Sequence, residues 1–198
     1  MVGSPSETAD ANRPITIRVG YGWPKRDGKS KPEDHVWAFI RERIKVVSDS
    51  LSKTQVKRGG RTFTCHINRL RAMHGGSVLD VLLQRIREAD ILVFDITGRN
   101  PNVLVEIGMA LAMNGCSGRV FVFQEVDDEG NPAEGAKHPT DLNGYFFTRY
   151  RKVLERGRST CRLTESQAFV AALRSRIMDA ARARGIWRDA VGTTDDED

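Results

Sequence analysis

Three cysteines in 198 residues, Cys65, Cys116 and Cys161, form an odd set without metal-ligand spacing. They read as free thiols of a reducing cytoplasm rather than as a disulfide framework. The four histidines fall in no HxxxH or Cys/His cluster, which argues against a structural zinc. No run approaches the roughly 18 consecutive apolar residues that a membrane span needs. The opening "MVGSPSETADANRP" also lacks the basic-then-apolar pattern of a signal peptide. What is present is ordinary for a globular chain: 39% apolar and 29% charged residues, at a length that buries a core without staples.

The net charge is +5, and the last four residues, DDED, carry −4 of it, so the rest of the chain stands at +9. Such a balance favours anionic partners, nucleotide phosphates or nucleic acid. It is equally what a solvated, arginine-rich surface looks like. Residues 1–13 and 191–198 are polar and read as disordered tails around a single domain spanning 14–190.

Between the tails the periodicity changes repeatedly. "ITIRVG" (Ile15–Gly20) alternates β-branched and polar residues and breaks into a Gly/Pro/Lys loop. Val36, Ile40, Ile44, Val47 and Leu51 then follow helical spacing. "TFTCHIN" is a second strand, and Ser77 with Asp80 starts a second helix carrying Val78, Leu82 and Ile86. "ILVFDI" and "RVFVFQ" are continuous apolar runs, as in strands covered on both faces. A helix from Asn100 to Met113 lies between them. "GYFFTRY" is a shorter strand placed at an edge, and Thr164 with Gln167 caps a last helix with Phe169, Leu173 and Ile177. The order predicts an α/β fold: a doubly wound, Rossmann-like or flavodoxin-like, mostly parallel sheet of about five strands flanked by helices. In such sheets ligands sit beyond the carboxyl ends of the strands.

That rule directs attention to "ADILVFDITGRNPNVLVEIGMALAMNG", Ala89 to Gly115. Asp95 ends the third strand, and Thr97 and Asn100 lie in the loop, with Asn100 as cap and Pro101 at the first helical position. From Val103 to Met113 the only charged side chain is Glu106. Helical geometry places Leu104, Ile107, Gly108 and Leu111 on one face and Glu106 on the other, beside Asn102, Met109, Ala110 and Met113. With apolar residues all round, both sides of this helix are expected to be covered. Two readings stand for Glu106: a carboxylate held by the helix dipole, or a functional group placed at a cost.

The same stretch, "DITGRNPNVLVEIGMALAMNG", resembles the signature of the TIR-like nucleotide-binding proteins related to nucleoside 2-deoxyribosyltransferases. "VLLQRIREADILVFDI" is similar to that family's preceding helix and strand, and "HPTDLNGYFFTRYR" to its later Asp-Leu-x-Gly…Tyr segment. The likeness runs from about Ile15 to Arg151. It departs from the pattern at Val105, where many relatives carry an aromatic, and at "GCSGRV", where many have Gly-Lys. The resemblance implies a TIR-like fold and Glu106 as the reactive carboxylate in breaking a ribose C1′–N bond. It further implies NAD or a related nucleotide as substrate or ligand, with no added cofactor or metal. A role in bacterial anti-phage signalling would go with this, alone, with a second copy or with an effector partner.

Around Glu106, Asn102 is placed to meet ribose hydroxyls, and Asp95, Thr97 and Asn100 to hold base or ribose. Gly20, Tyr21 and Trp23 end the first strand at the same edge; Trp23 stacks on a base or merely lids the loop. Lys25, Arg26 and Lys29 meet phosphates or are solvated, and Gly75-Gly76-Ser77 is a weak anion loop. Two other functions remain open: a non-catalytic nucleotide sensor using the same pocket, and nucleic-acid binding by "RSRIMDAARARGIWR" with Arg174, Arg176, Arg182, Arg184 and Arg188. The last ranks lowest, because core packing explains that helix's apolar face.

Overall fold

A computed structural model of the chain describes residues 14–21, 35–57, 62–70, 77–97, 100–113, 119–132, 146–155, 158–163 and 166–187. The tails 1–13 and 191–198 lie outside these residues, as do Trp23, Lys25, Arg26, Lys29, Gly75, Gly76, Thr164 and Arg188.

The predicted alternation of strand and helix is realised in order. β1 (Ile15–Tyr21) leads to α1 (His35–Lys57), β2 (Cys65–Arg69) to α2 (Val78–Glu88), and β3 (Ile91–Asp95) to α3 (Pro101–Ala112). β4 (Val120–Glu125), β5 (Phe146–Glu155), β6 (Arg158–Leu163) and α4 (Ser166–Ala183) complete the chain. The sheet runs β2-β1-β3-β4-β5-β6. Its first five strands are mutually parallel, and β6 returns antiparallel along β5. The protein is therefore an α/β doubly wound fold.

β5 is longer than the sequence suggested and is not an edge, because β6 covers it from Tyr150↔Leu163 to Glu155↔Arg158. The segment after Tyr150 is rich in charge and has no apolar run, so composition conceals a hairpin that ladder pairing creates.

Apolar periodicity decides which side of the sheet each helix takes. Ile40, Ile44, Val47 and Leu51 of α1 and Phe169, Leu173 and Ile177 of α4 are fully or almost fully buried. They pack on Ile15, Ile17, Val19, Ile91, Val93, Phe121 and Phe123. The alternate residues Leu92, Phe94 and Val122 turn to the other face, against Leu82 and Ile86 of α2 and Val103, Ile107 and Ala110 of α3. All five residues of β3 are buried, as expected of a central parallel strand. Ser77 caps α2 by accepting the Asp80 N–H. At its far end α4 turns back at Gly185, whose φ of 65° favours glycine, and this returns Trp187 to the core beside Phe63.

No helix among the described residues is long and apolar enough to cross a membrane.

Candidate active site at the carboxyl edge of β1 and β3

β1 continues to β2 on one side and β3 to β4 on the other, so the strand order reverses between β1 and β3. In a 2-1-3-4-5 sheet that crevice is where ligands bind. Its two lips are in register, Gly20 opposite Phe94 and Tyr21 opposite Asp95. α3 starts from the same edge. The Asn100 side chain accepts the Asn102 N–H at 2.9 Å, and Pro101 stands where a missing N–H costs nothing.

The inward face of α3 differs from the one read from the sequence. Val103, Ile107 and Ala110 are buried, whereas Gly108 is exposed and Leu104 and Leu111 are only partly covered. Glu106 lies three residues after Val103 and four before Ala110, hence on the inward side and not opposite it. Nor is the helix covered all round, since Val105 is 53% exposed.

This placement drives the Glu106 carboxylate against the backbone of β1. A Cβ built on Gly20 would come within 2.7 Å of Glu106 Oε2 and 2.7 Å of Phe94 Cδ1. Only a residue without a side chain fits there. Oε2 is enclosed and has no hydrogen-bond partner among the described residues. Burial pushes the Glu106 carboxyl up to about 7 from an ordinary 4.5. Substituting Gly20→Ala is expected to lower stability by about 1–2 kcal/mol through forced overpacking. Thermal unfolding of the variant checks this, and an unchanged melting temperature would disprove the contact.

Asp95 leaves the sheet on the opposite face, the α1/α4 side, in phase with Ile91 and Val93. Its Oδ1 accepts the Thr97 N–H at 3.0 Å and the Thr97 hydroxyl at 2.5 Å, and its Oδ2 accepts the Tyr150 hydroxyl at 3.1 Å. The Thr97 oxygen in turn accepts the Glu125 N–H at 2.8 Å. Burial raises the Asp95 carboxyl, and the bonds from Thr97 and Tyr150 oppose that rise. Tyr150 is raised as well, first by burial and then by the Asp95 charge. Asp95 and Thr97 thus tie the ends of β3, β4 and β5 together beside the crevice.

Of the residues singled out in the sequence, Gly20 and Glu106 meet, and Asp95 meets Thr97. Asn100 serves as cap, Asn102 is exposed one turn before Glu106, and Tyr21 places its main chain opposite Asp95. Tyr150 was not singled out, although it lies in the "HPTDLNGYFFTRYR" segment. Of the arginines in and just after α4, Arg176 and Arg182 share Asp179, and Arg184 is tied down on Asp90. Among the described residues no group of His, Cys, Asp and Glu is placed to hold a metal ion. Comparison with protein-family models, curated proteins and solved structures gives no match.

Proposed function

We propose that this protein cleaves or transfers the ribose C1′–N bond of NAD or a related nucleotide, with Glu106 as the acting carboxylate. The observation that carries the reading is an enclosed carboxylate oxygen at the strand-order reversal, pressed on a glycine and without a hydrogen-bond partner among the described residues. A purely structural glutamate would be expected to hold a hydrogen bond or ion pair, because an unpaired buried carboxylate is costly. Retaining it makes sense where positive charge develops on a substrate, as at an oxocarbenium-like anomeric carbon. The carboxylate stabilises that centre or attacks it, and Asn102, one turn earlier on α3, lies on the side from which ribose hydroxyls would arrive. The resemblance of "DITGRNPNVLVEIGMALAMNG" to the TIR-like signature supports the same assignment. It also supports a nucleotide as the only small molecule required and a cytoplasmic role in anti-phage signalling.

The test is incubation of concentrated protein with NAD and chromatography of released nicotinamide, beside Glu106→Gln. Release by the wild type alone assigns the reaction and the residue. The rate should climb as pH rises through about 7, because the ionised form acts and the carboxyl titrates there. No release at any protein concentration would overturn the catalytic reading. Calorimetric titration with NAD would then ask whether the pocket serves as a sensor.

A further inference from the structure

β2 is the outer strand of the sheet, and β1 is its only ladder partner among the described residues. The bonds at either end of this ladder fix which way its main chain faces. Ile15 N–H donates to Thr64 O, and Leu70 N–H donates to Val19 O. In a parallel pair, alternate residues direct both main-chain groups to the same neighbour. Residues 64, 66, 68 and 70 therefore serve β1, and the N–H and C=O groups of Cys65 and Ile67 point to the outer edge, where no described strand lies.

A groove of about 660 Å³ runs along that edge, and residues 62–68 all line it. Consecutive strand residues send side chains to opposite faces, so one groove touches all of them only along the strand's outer edge. The other wall is α1, which contributes Arg41, Lys45, Asp49 and Lys53, with Ser48 and Ser52 between them. Arg41, Lys45, Asp49 and Lys53 recur every fourth residue, about 6 Å apart along a helix. Alternate residues of a β-strand are about 6.6 Å apart. The charge row of α1 and one face of an added strand are therefore nearly commensurate.

We propose that the edge of β2 receives an extended segment of a partner protein, bound as an additional strand with carboxylates at alternate positions. Main-chain bonds to Cys65 and Ile67 supply the general affinity, and the α1 row supplies the selection. Carboxylates fit opposite Arg41, Lys45 and Lys53, and a neutral or basic side chain fits opposite Asp49. Two further ionisable side chains line the groove: the Cys65 thiol, raised by burial and packed on the α1 side, and His66, which faces away from α1 with Asn68.

The probe is the labelled heptapeptide Ac-Glu-Thr-Glu-Thr-Lys-Thr-Glu, titrated against the full chain by fluorescence anisotropy. Saturable binding is expected, weakened about tenfold or more by N-methylating the alternate amides that would join the ladder. Lys45→Glu, an exposed position whose folding is checked by circular dichroism, should weaken binding by a similar factor. Replacing the facing glutamate of the peptide by lysine should restore it. Absence of binding, or equal binding of the N-methylated peptide, would overturn strand addition. Displacement of the peptide by single-stranded oligo-dT with the same Lys45 dependence would also overturn it, reassigning the groove to polyanions.

Discussion

Arg184→Ala is expected to lower unfolding stability by about 3–5 kcal/mol, because it strands a buried carboxylate. The guanidinium Nη2 lies 2.6 and 2.5 Å from the two Asp90 oxygens, and Nη1 donates to Pro14 O at 2.7 Å. Both side chains are largely covered, at 9% and 16% exposure. Asp90 also accepts the Thr16 N–H at 2.7 Å and donates its own N–H to Thr16 O at 2.8 Å. One guanidinium, with Nη2 held between both Asp90 oxygens and Nη1 on Pro14 O, thus fastens the end of α4 to the start of β1 and the start of β3. With the arginine gone, the Thr16 N–H is the one hydrogen-bond partner left to the carboxylate among the described residues. Urea unfolding measures the loss, which should change little with salt, as screening acts weakly on covered charges. Arg184→Lys should keep only part of the stability, since one ammonium nitrogen cannot serve both Asp90 and Pro14 O as the two guanidinium nitrogens do. The double variant Asp90→Leu with Arg184→Met should lose less than Arg184→Ala, because it leaves no charge unpaired. A loss below about 1 kcal/mol for Arg184→Ala would place this pair with ordinary surface ion pairs.

That contact also marks where sequence reading stops. Strand and helix order was legible because periodicity is local: the continuous run from Ile91 to Ile96 and the spacing Ile40, Ile44, Val47, Leu51 each point to one element type. The caps at Ser77 and Asn100 were legible for the same reason. Arg184 and Asp90 are 94 residues apart, and nothing near either marks the partner. In the sequence Arg184 is one of several arginines, indistinguishable from those that stay at the surface. The β5–β6 hairpin was hidden for a related reason, since register lies in main-chain pairing rather than in composition.

At the site, the presence of Glu106 was legible and its direction was not. Its isolation in an apolar stretch flagged it, but the face was drawn through Leu104, Ile107, Gly108 and Leu111, of which only Ile107 is buried; Val103 and Ala110 complete the inward side. Gly20 looked like a strand end followed by a loop. Its role as the surface against which a carboxylate rests needed the Gly20↔Phe94 register and the path of α3 together. Asp95 was correctly placed at the edge, but strand alternation sends it to the other face. There the hydroxyls of Thr97 and Tyr150 and the Thr97 N–H engage it. Of Asp95 and Glu106, the first is satisfied internally and the second has an oxygen without a partner among the described residues. The unsatisfied one is the better candidate for chemistry.

The cost of that unsatisfied group is measurable without any substrate. Glu106→Gln is expected to be more stable than the wild type by about 2 kcal/mol at pH 8 and about equal to it below pH 4.5. The sign follows from the raised carboxyl. Below the ordinary value of 4.5 the group is protonated in both states and contributes no difference. Between there and about 7 the unfolded chain gives up a proton that the folded chain keeps, so stability falls as pH rises. Above about 7 both states are ionised, and the loss is complete. The separation of the two values corresponds to about 3 kcal/mol at full weight, and solvent reaching this partly exposed side chain reduces that to about 2 kcal/mol. Glutamine cannot ionise, and its amide keeps nearly the same shape against Gly20. Its stability should therefore lack this slope, while the contribution of Asp95, with the same sign, remains in both proteins. Urea midpoints of the two proteins at half-unit steps from pH 4.5 to 8 give the comparison directly. Parallel curves would mean that Glu106 ionises as an exposed glutamate does, and the proposed cost would vanish. Diverging curves would identify a position where the chain gives up stability to hold a charge, as functional sites commonly do.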